Sequence, residues 1–382
     1  MTVLQLISSS GYYGMENMLV TLSRGLSCIG VRTIIGVFED ARDPHTEIAG
    51  AAERLGLKVE KIPCCGRLDL RALTIIRKLT STCSVDVIHS HGYKADIYAR
   101  LSAGRRQALV ATSHNWPSRR FNMRFYAALD RFALRGFDRV AVVSDVVGRK
   151  LEQSGINKDA IVSIPNGVDL ERFHHSEPTL REKTIGDEGV IVGCVGRAIP
   201  AKGGREFLEA AQQVLAKFPG TRFVWIGDGP SLPVWKQLAE HLGMSANVRF
   251  TGSRNDMPGI YASLDIVVLP SLEEAMPMCL LEAMAAARPV VASDVGAVNQ
   301  VVRDGITGLL VPPGDTAALA ASIMRLVDDR ALAEAFGTAA VSRATALFSI
   351  EGTAQRYAAI YESACSRRLR LDGIAALERS TS

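Results

Sequence analysis

The 382-residue chain has no run of about 18 apolar residues, so no transmembrane helix is expected. Met1 to Ser10 lacks a basic n-region, and its apolar stretch is only strand-length, so it is read as not a signal peptide. An excess of one charge is also missing. The formal net charge is +4, too small to imply a nucleic-acid partner. Residues 1–180 carry 24 Lys and Arg against 18 Asp and Glu, and residues 181–382 carry 20 against 22. A mildly basic first half suits an anionic partner, although ordinary scatter accounts for it equally well. The seven cysteines are odd in number and form no pair of CxxC motifs. Most lie in apolar runs, which suits buried, reduced thiols of a cytoplasmic protein. No Gly-x-Gly-x-x-Gly follows the first strand, which argues against a nicotinamide dehydrogenase. Short tandem repeats and low-complexity tracts are absent.

What is present is apolar material for two cores: 47% apolar residues and 22% charged. At roughly 100–200 residues per domain, two domains are expected. Short apolar runs alternate with helical periods almost from end to end. Strands are expected at Val3–Ser8, Thr33–Val37, Val85–His89, Ala108–Thr112, Arg139–Val143 and Ile161–Ile164. A polar segment with Pro and Gly, His174 to Gly189, reads as a linker. Beyond it the alternation restarts, with strands at Val190–Val195, Arg222–Ile226, Val248–Phe250, Ile266–Leu269 and Pro289–Ala292. This pattern predicts two doubly wound α/β domains, 1–175 and 190–349, each with parallel strands covered on both faces. A last helical segment, about 350–370, is expected to pack back on the first domain.

In open α/β sheets ligands bind beyond the carboxyl ends of the strands. The post-strand loops therefore hold the candidate site. The richest is Pro270-Ser271-Leu272-Glu273-Glu274-Ala275-Met276-Pro277-Met278-Cys279-Leu280-Leu281-Glu282. Pro277 can occupy a helix's first turn, which leaves free N–H groups near Met278 and Cys279 for a phosphate. Glu274 and Glu282 can accept hydrogen bonds from sugar hydroxyls or a ribose diol. Glu273 reads as a solvated acid. A second loop, Val195-Gly196-Arg197-Ala198-Ile199-Pro200-Ala201-Lys202-Gly203-Gly204, brings two cations and close-approach glycines together, as a diphosphate requires. A third, Ser8-Ser9-Ser10-Gly11-Tyr12-Tyr13-Gly14-Met15-Glu16, joins the first strand to the first helix. His89, His91 and His114 stand near strand ends. By count they could hold a metal, but no fourth ligand is evident.

These stretches resemble retaining glycosyltransferase family 4, of GT-B fold, over nearly the whole chain. Glu274 and Glu282 stand in the two positions of that family's E-x7-E signature. Ala275-Met276 departs from the Gly-Phe common after the first glutamate, and Tyr13 replaces one glycine of the Gly-Gly-x-Glu loop around Gly14. The resemblance implies two Rossmann-like domains facing across a cleft, with an acceptor-side first domain and a nucleotide-sugar-binding second domain. It implies donor-phosphate roles for Arg197 and Lys202, an active-site role for His114 near the donor sugar, and nucleotide-base contacts near Gly227, Gly252 and Arg254. It implies no bound metal or other cofactor beyond a nucleotide diphosphate sugar as donor. The implied acceptor is a lipid-linked or polysaccharide intermediate of cell-envelope glycan synthesis. A sugar-nucleotide epimerase of the same architecture and a non-catalytic nucleotide-sugar-binding protein are the alternatives.

Trp116 to Phe137 carries one further expectation. If helical, it gathers Arg120, Arg124, Arg131 and Arg135 in a narrow arc beside Phe121, Phe125, Leu129 and Phe132. That pattern suits peripheral docking on an anionic membrane surface, here the inner face. A core-facing helix with a wet basic edge explains it as well.

Overall fold

The computed structural model describes residues 1–9, 11–40, 44–66, 68–114, 129–174, 176–180 and 189–380. The chain divides into two compact units, Met1–Gly167 with Ile350–Ser382, and Val168–Ser349. Val168 N–H donates to the Phe348 carbonyl at 2.8 Å, so the two chain crossings run side by side.

The first unit winds β1 (Thr2–Ile7), α1 (Gly14–Cys28), β2 (Arg32–Glu39), α2 (Glu47–Glu53), β3 (Lys58–Pro63), α3 (Leu70–Thr82), β4 (Val87–His91), α4 (Tyr93–Ser102), β5 (Ala108–Ser113), β6 (Arg139–Val142), α5 (Asp145–Gln153) and β7 (Ile161–Ser163). Its strands form one sheet ordered β3-β2-β1-β4-β5-β6-β7, with every pair parallel. All six residues of β1 are buried, as a strand covered by helices on both faces must be.

The second unit begins with α6 (Leu170–His174) and continues β8 (Ile191–Val195), a 3₁₀ turn (Pro200–Lys202), α7 (Gly204–Lys217), β9 (Arg222–Ile226), α8 (Leu232–His241), β10 (Val248–Gly252), α9 (Met257–Ser263), β11 (Ile266–Leu269), α10 (Met278–Ala285), β12 (Val290–Ser293), α11 (Val298–Val301), β13 (Gly308–Val311), α12 (Thr316–Asp328) and α13 (Arg330–Phe348). Its all-parallel sheet is ordered β10-β9-β8-β11-β12-β13. The core is built on Phe207, Phe223, Trp225 and Trp235, with the two indoles 4.6 Å apart. Gly204 lets Trp235 lie over the start of α7, because a Cβ there would stand 2.4 Å from the ring. Residues 168–174, assigned by sequence to the first domain, pack in the second unit, where α6 lies against α9 and α10.

The final helix, α14 (Ile350–Ser380), belongs to the first unit and packs on α1 and β5. Close approach is possible because Gly25 has no Cβ; one there would meet Ile350 at 2.9 Å. Tyr357 and Tyr361 of α14 are fully buried, and Arg139 of β6 donates to Ser363 at 2.6 Å. Among the described residues no helix is long and apolar enough to cross a membrane.

Two edge strands, β3 and β13, lie outside the strands expected from sequence, and β4 starts two residues later than expected. It also ends two residues later, which places His91 inside β4 rather than in the loop after it. The expectation of buried cysteines holds only for Cys64 and Cys194. All seven are free thiols, and Cys28 and Cys65 are exposed, one ending α1 and the other in the turn after β3.

Candidate functional site

In the second unit the chain runs outward from β8 through β9 to β10, then returns to β11 and runs the other way. The loops after β8 and β11 therefore flank the switch point, where open α/β sheets take their ligands. The two loops are nevertheless stitched at their bases. Leu272 N–H donates to the Ala201 carbonyl at 2.9 Å. Gly203 adopts a left-handed φ of 71°, and a Cβ there would stand 1.9 Å from the Pro270 carbonyl oxygen. Only glycine fits both conditions.

This stitching brings Lys202 to Glu274. The Lys202 Nζ donates to Glu274 Oε1 at 2.5 Å, and the Ser271 hydroxyl donates to the same oxygen at 2.8 Å. Their side chains are 24% and 7% exposed. Burial alone would lower the Lys202 ammonium, but the Glu274 carboxylate overrides it and the net shift is upward. The lysine is therefore held as a cation. Arg197 stands exposed on the same loop.

Beyond Glu274 the chain enters α10. Pro277, extended at ψ 125°, is the N-cap, so the helix begins at Met278. Helix geometry leaves the first N–H groups, those of Met278 and Cys279, without intrahelical acceptors, at the positive end of the dipole. One turn on, Glu282 is 6% exposed and its Oε2 accepts from the Tyr261 hydroxyl at 2.8 Å. Tyr261, on α9, is buried edge-on to Phe173 of α6, with ring centroids 5.7 Å apart. This partner of Glu282 was missed in the sequence, where Tyr261 reads as one more apolar residue of an ordinary helix. Burial pushes the Cys279 thiol up to about 12 and raises that of Cys194, so both sulfurs stay protonated.

The remaining loops close around this core. Gly296, at φ 59°, lies against the backbone of Glu274; a Cβ there would stand 1.9 Å from the Glu274 carbonyl, and Ala297 N–H donates to Ala275 at 3.0 Å. Gly227 N–H donates to the Gly252 carbonyl at 2.9 Å, and a Cβ on Gly227 would meet the Gly196 carbonyl at 2.1 Å. Gly227 and Gly252 are thus joined to each other and to the Lys202 loop. Arg254 instead grips Asp256 bidentately, at 2.8 and 2.7 Å, and holds that carboxyl far below the usual range.

In the first unit the corresponding switch point lies between β1 and β4. Gly14, exposed, opens α1, and Glu16 closes the preceding loop by accepting from Tyr13 N–H and from Ser9, both at 3.0 Å. Glu16 therefore shapes the loop. Across the sheet, His89, His91 and His114 join one hydrogen-bonded chain. His114 Nε2 stands 3.0 Å from His91 Nδ1, and His91 Nε2 stands 2.9 Å from Gln5 Oε1. Gln5 Nε2 donates to the Tyr361 hydroxyl at 3.3 Å. Tyr361 meets His89 Nδ1 at 2.8 Å, and His89 Nε2 meets Thr112 at 2.7 Å. Thr112 in turn meets Tyr357 at 3.0 Å. Burial lowers all three imidazoles, His89 to about 3, His114 to about 4 and His91 well below its usual value, so they are neutral at pH 7. Among the described residues no group of three His, Cys, Asp or Glu is placed to hold a metal ion.

A family model described as Glycosyltransferase Family 4 matches residues 12–172, and one described as Glycosyl transferases group 1 matches residues 189–329. The chain is 28% identical to the UDP-Gal:alpha-D-GlcNAc-diphosphoundecaprenol alpha-1,3-galactosyltransferase of Escherichia coli, over 69% of this chain and 72% of that one. It is 30% identical to the lipopolysaccharide core biosynthesis mannosyltransferase LpsB of Rhizobium meliloti, over 63% of this chain and 70% of that one. Among solved structures, Anabaena HepE in complex with UDP-glucose superposes with a TM-score of 0.82 at 24% identity, over 95% of this chain and 99% of that one. With both halves matched by models of one kind, and with the paired doubly wound sheets, the chain belongs to glycosyltransferase family 4 and is a hexosyl-type glycosyltransferase of GT-B fold.

Proposed function

We propose that the enzyme moves a sugar from a nucleotide diphosphate sugar to a lipid-linked or polysaccharide acceptor of cell-envelope glycan synthesis, with retained anomeric configuration. The observation that carries this reading is the Lys202–Glu274 pair beside the start of α10, which brings together a cation, a carboxylate and a helix N-terminus. Breaking the donor C1–O bond builds positive charge on the sugar and negative charge on the diphosphate. Lys202, Arg197 and the N–H groups of Met278 and Cys279 stabilise that anion. Glu274 binds sugar hydroxyls. Glu282, oriented by Tyr261, takes the ribose diol. Gly227, Gly252 and Arg254 lie toward the base. From the first unit, His114 is assigned to the transferred sugar, and the glycine loop at Gly14 to the donor phosphates or the acceptor. The acceptor hydroxyl attacks C1 on the face the diphosphate leaves, and its proton passes to the leaving phosphate. Support for the donor and acceptor classes comes from the names of the E. coli galactosyltransferase and of the Anabaena complex.

A panel of nucleotide sugars incubated with the enzyme and a lipid-linked acceptor is expected to give transfer with the donor's anomeric configuration kept, read by proton NMR. An inverted product would overturn the retaining reading.

Glu282→Ala is expected to weaken nucleotide binding about tenfold or more, the cost of losing hydrogen bonds to a carboxylate. Tyr261→Phe should weaken it less, because the carboxylate remains but is no longer held. Calorimetry with the nucleoside diphosphate reads both, and an unchanged affinity in Glu282→Ala contradicts the ribose role.

The same reading places the enzyme in the cytoplasm, peripheral on an anionic inner membrane surface through Trp116–Phe137. Arg120, Phe121, Arg124 and Phe125 lie outside the described residues. In the described part, residues 129–134 are helical, Phe132 is 76% exposed and Arg135 is exposed beside it, while Ala133, Leu134 and Phe137 are buried. Reversing the charge of Arg120, Arg124, Arg131 and Arg135 is expected to abolish co-sedimentation with phosphatidylglycerol vesicles. Unchanged sedimentation would dispose of this docking surface.

A further inference from the structure

The buried chain in the first unit contains more order than its distances alone convey. Its members come from four elements: Gln5 from β1, His89 and His91 from β4, Thr112 from β5, and Tyr357 and Tyr361 from α14, with His114 following β5. All but His114 are at most 1% exposed, so their hydrogen bonds are made with one another rather than with bulk water. A neutral imidazole carries one proton, so each ring can donate from one nitrogen only.

The Gln5 amide decides which nitrogen that is. Its carbonyl oxygen faces His91 Nε2, so His91 must carry its proton there. His91 Nδ1 is then bare, and it stands 3.0 Å from His114 Nε2. That contact is a hydrogen bond only if His114 carries its proton on Nε2, which leaves Nδ1 of His114 bare. On the other side, the Gln5 amide nitrogen donates to Tyr361, whose own proton turns to His89 Nδ1, and His89 donates from Nε2 to Thr112. Turning the Gln5 amide over would reverse every donor along the chain and put a proton on His114 Nδ1. One amide therefore separates an acceptor from a donor at the end of the chain.

We propose that Gln5 and His91 are positioning residues that lock His114 in its Nε2–H tautomer, so that His114 meets a substrate hydroxyl as a hydrogen-bond acceptor through Nδ1. The proposal rests on the reading above that His114 contacts the transferred sugar. The chemistry rewards this order. Positive charge grows on the sugar as the C1–O bond breaks, and a neutral ring offering a lone pair draws in a hydroxyl without adding like charge. Burial keeps the three rings neutral, so the lock holds at pH 7. The neighbouring groups along the chain are phenols, a hydroxyl and an amide, none of them charged at that pH.

The test is a long-range proton–nitrogen correlation spectrum of the full chain with ¹⁵N-labelled histidine at pH 7. His114 is expected as the Nε2–H tautomer, and a proton on Nδ1 overturns the lock. Gln5→Met removes both amide contacts and should give His114 as a mixture of tautomers; a pure Nε2–H population in that variant also overturns it. In Gln5→Glu the carboxylate accepts from His91 as the amide oxygen does, so the Nε2–H tautomer should return. With it should return part of the roughly tenfold loss in kcat expected for Gln5→Met, a loss of the size of one hydrogen bond. Nucleotide affinity measured by calorimetry should stay within about twofold in both, since the nucleotide contacts lie in the second unit. If the tautomer is as expected but His114→Ala transfers sugar at the wild-type rate, the lock stands, and both the substrate contact of His114 and its acceptor role fall.

Discussion

Every strand pairing in both sheets is parallel, and most of the molecule follows from that constraint. Parallel neighbours cannot be joined by a hairpin, so the chain must cross over between them, most often by a helix. All strands then end at the same edge, and all the loops that follow them gather there. Each sheet also reverses its winding once, between β1 and β4 and between β8 and β11. The residues with chemical capacity cluster at those two reversals. In the second unit they are Lys202 and Glu274; in the first they are Gln5, His91 and His114.

The two clusters solve opposite electrostatic problems. In the second unit an ammonium stands mostly buried, and an unpaired buried ammonium is costly. Glu274, itself held by the Ser271 hydroxyl, pairs with Lys202 and keeps it charged against the pull of burial. In the first unit charge is excluded. Three imidazoles share a chain of hydrogen bonds that is fully buried except at His114, and burial keeps them neutral. One unit thus holds a charge in readiness, and the other holds lone pairs in a fixed sense.

The fold was legible in the sequence because centrally buried parallel strands are near-continuous apolar runs. The strands that escaped are both at sheet edges. In β3, Lys58, Glu60 and Lys61 break the apolar run, and only Ile62 of the strand is buried. The other, β13, is a four-residue edge strand whose run opens on Gly308 directly after a turn. The candidate site residues that local chain marks out are Arg197, Lys202 and Glu274, in post-strand loops with glycines and prolines, and Glu282, one turn into the helix after Pro277. What escaped depends on distant partners. Tyr261 reaches Glu282 from another helix, and Tyr361 reaches Gln5 from a helix more than 350 residues further on. Arg254, expected near the base, spends its fork on Asp256, two residues away, a pairing that spacing alone leaves open.

Glu274 holds Lys202 where the proposed function puts a diphosphate. Calorimetry with uridine diphosphate on Lys202→Met, Glu274→Gln and the double variant tests this most directly. Lys202→Met is expected to weaken binding about tenfold or more, the scale of a lost charge-assisted hydrogen bond. Glu274→Gln is expected to leave binding unchanged or tighter, because the ammonium no longer has a competing carboxylate, while sugar transfer falls. If Glu274→Gln weakens uridine diphosphate as much as Lys202→Met does, or if Lys202→Met binds it as the parent enzyme does, Lys202 is not the diphosphate's cation and the account fails.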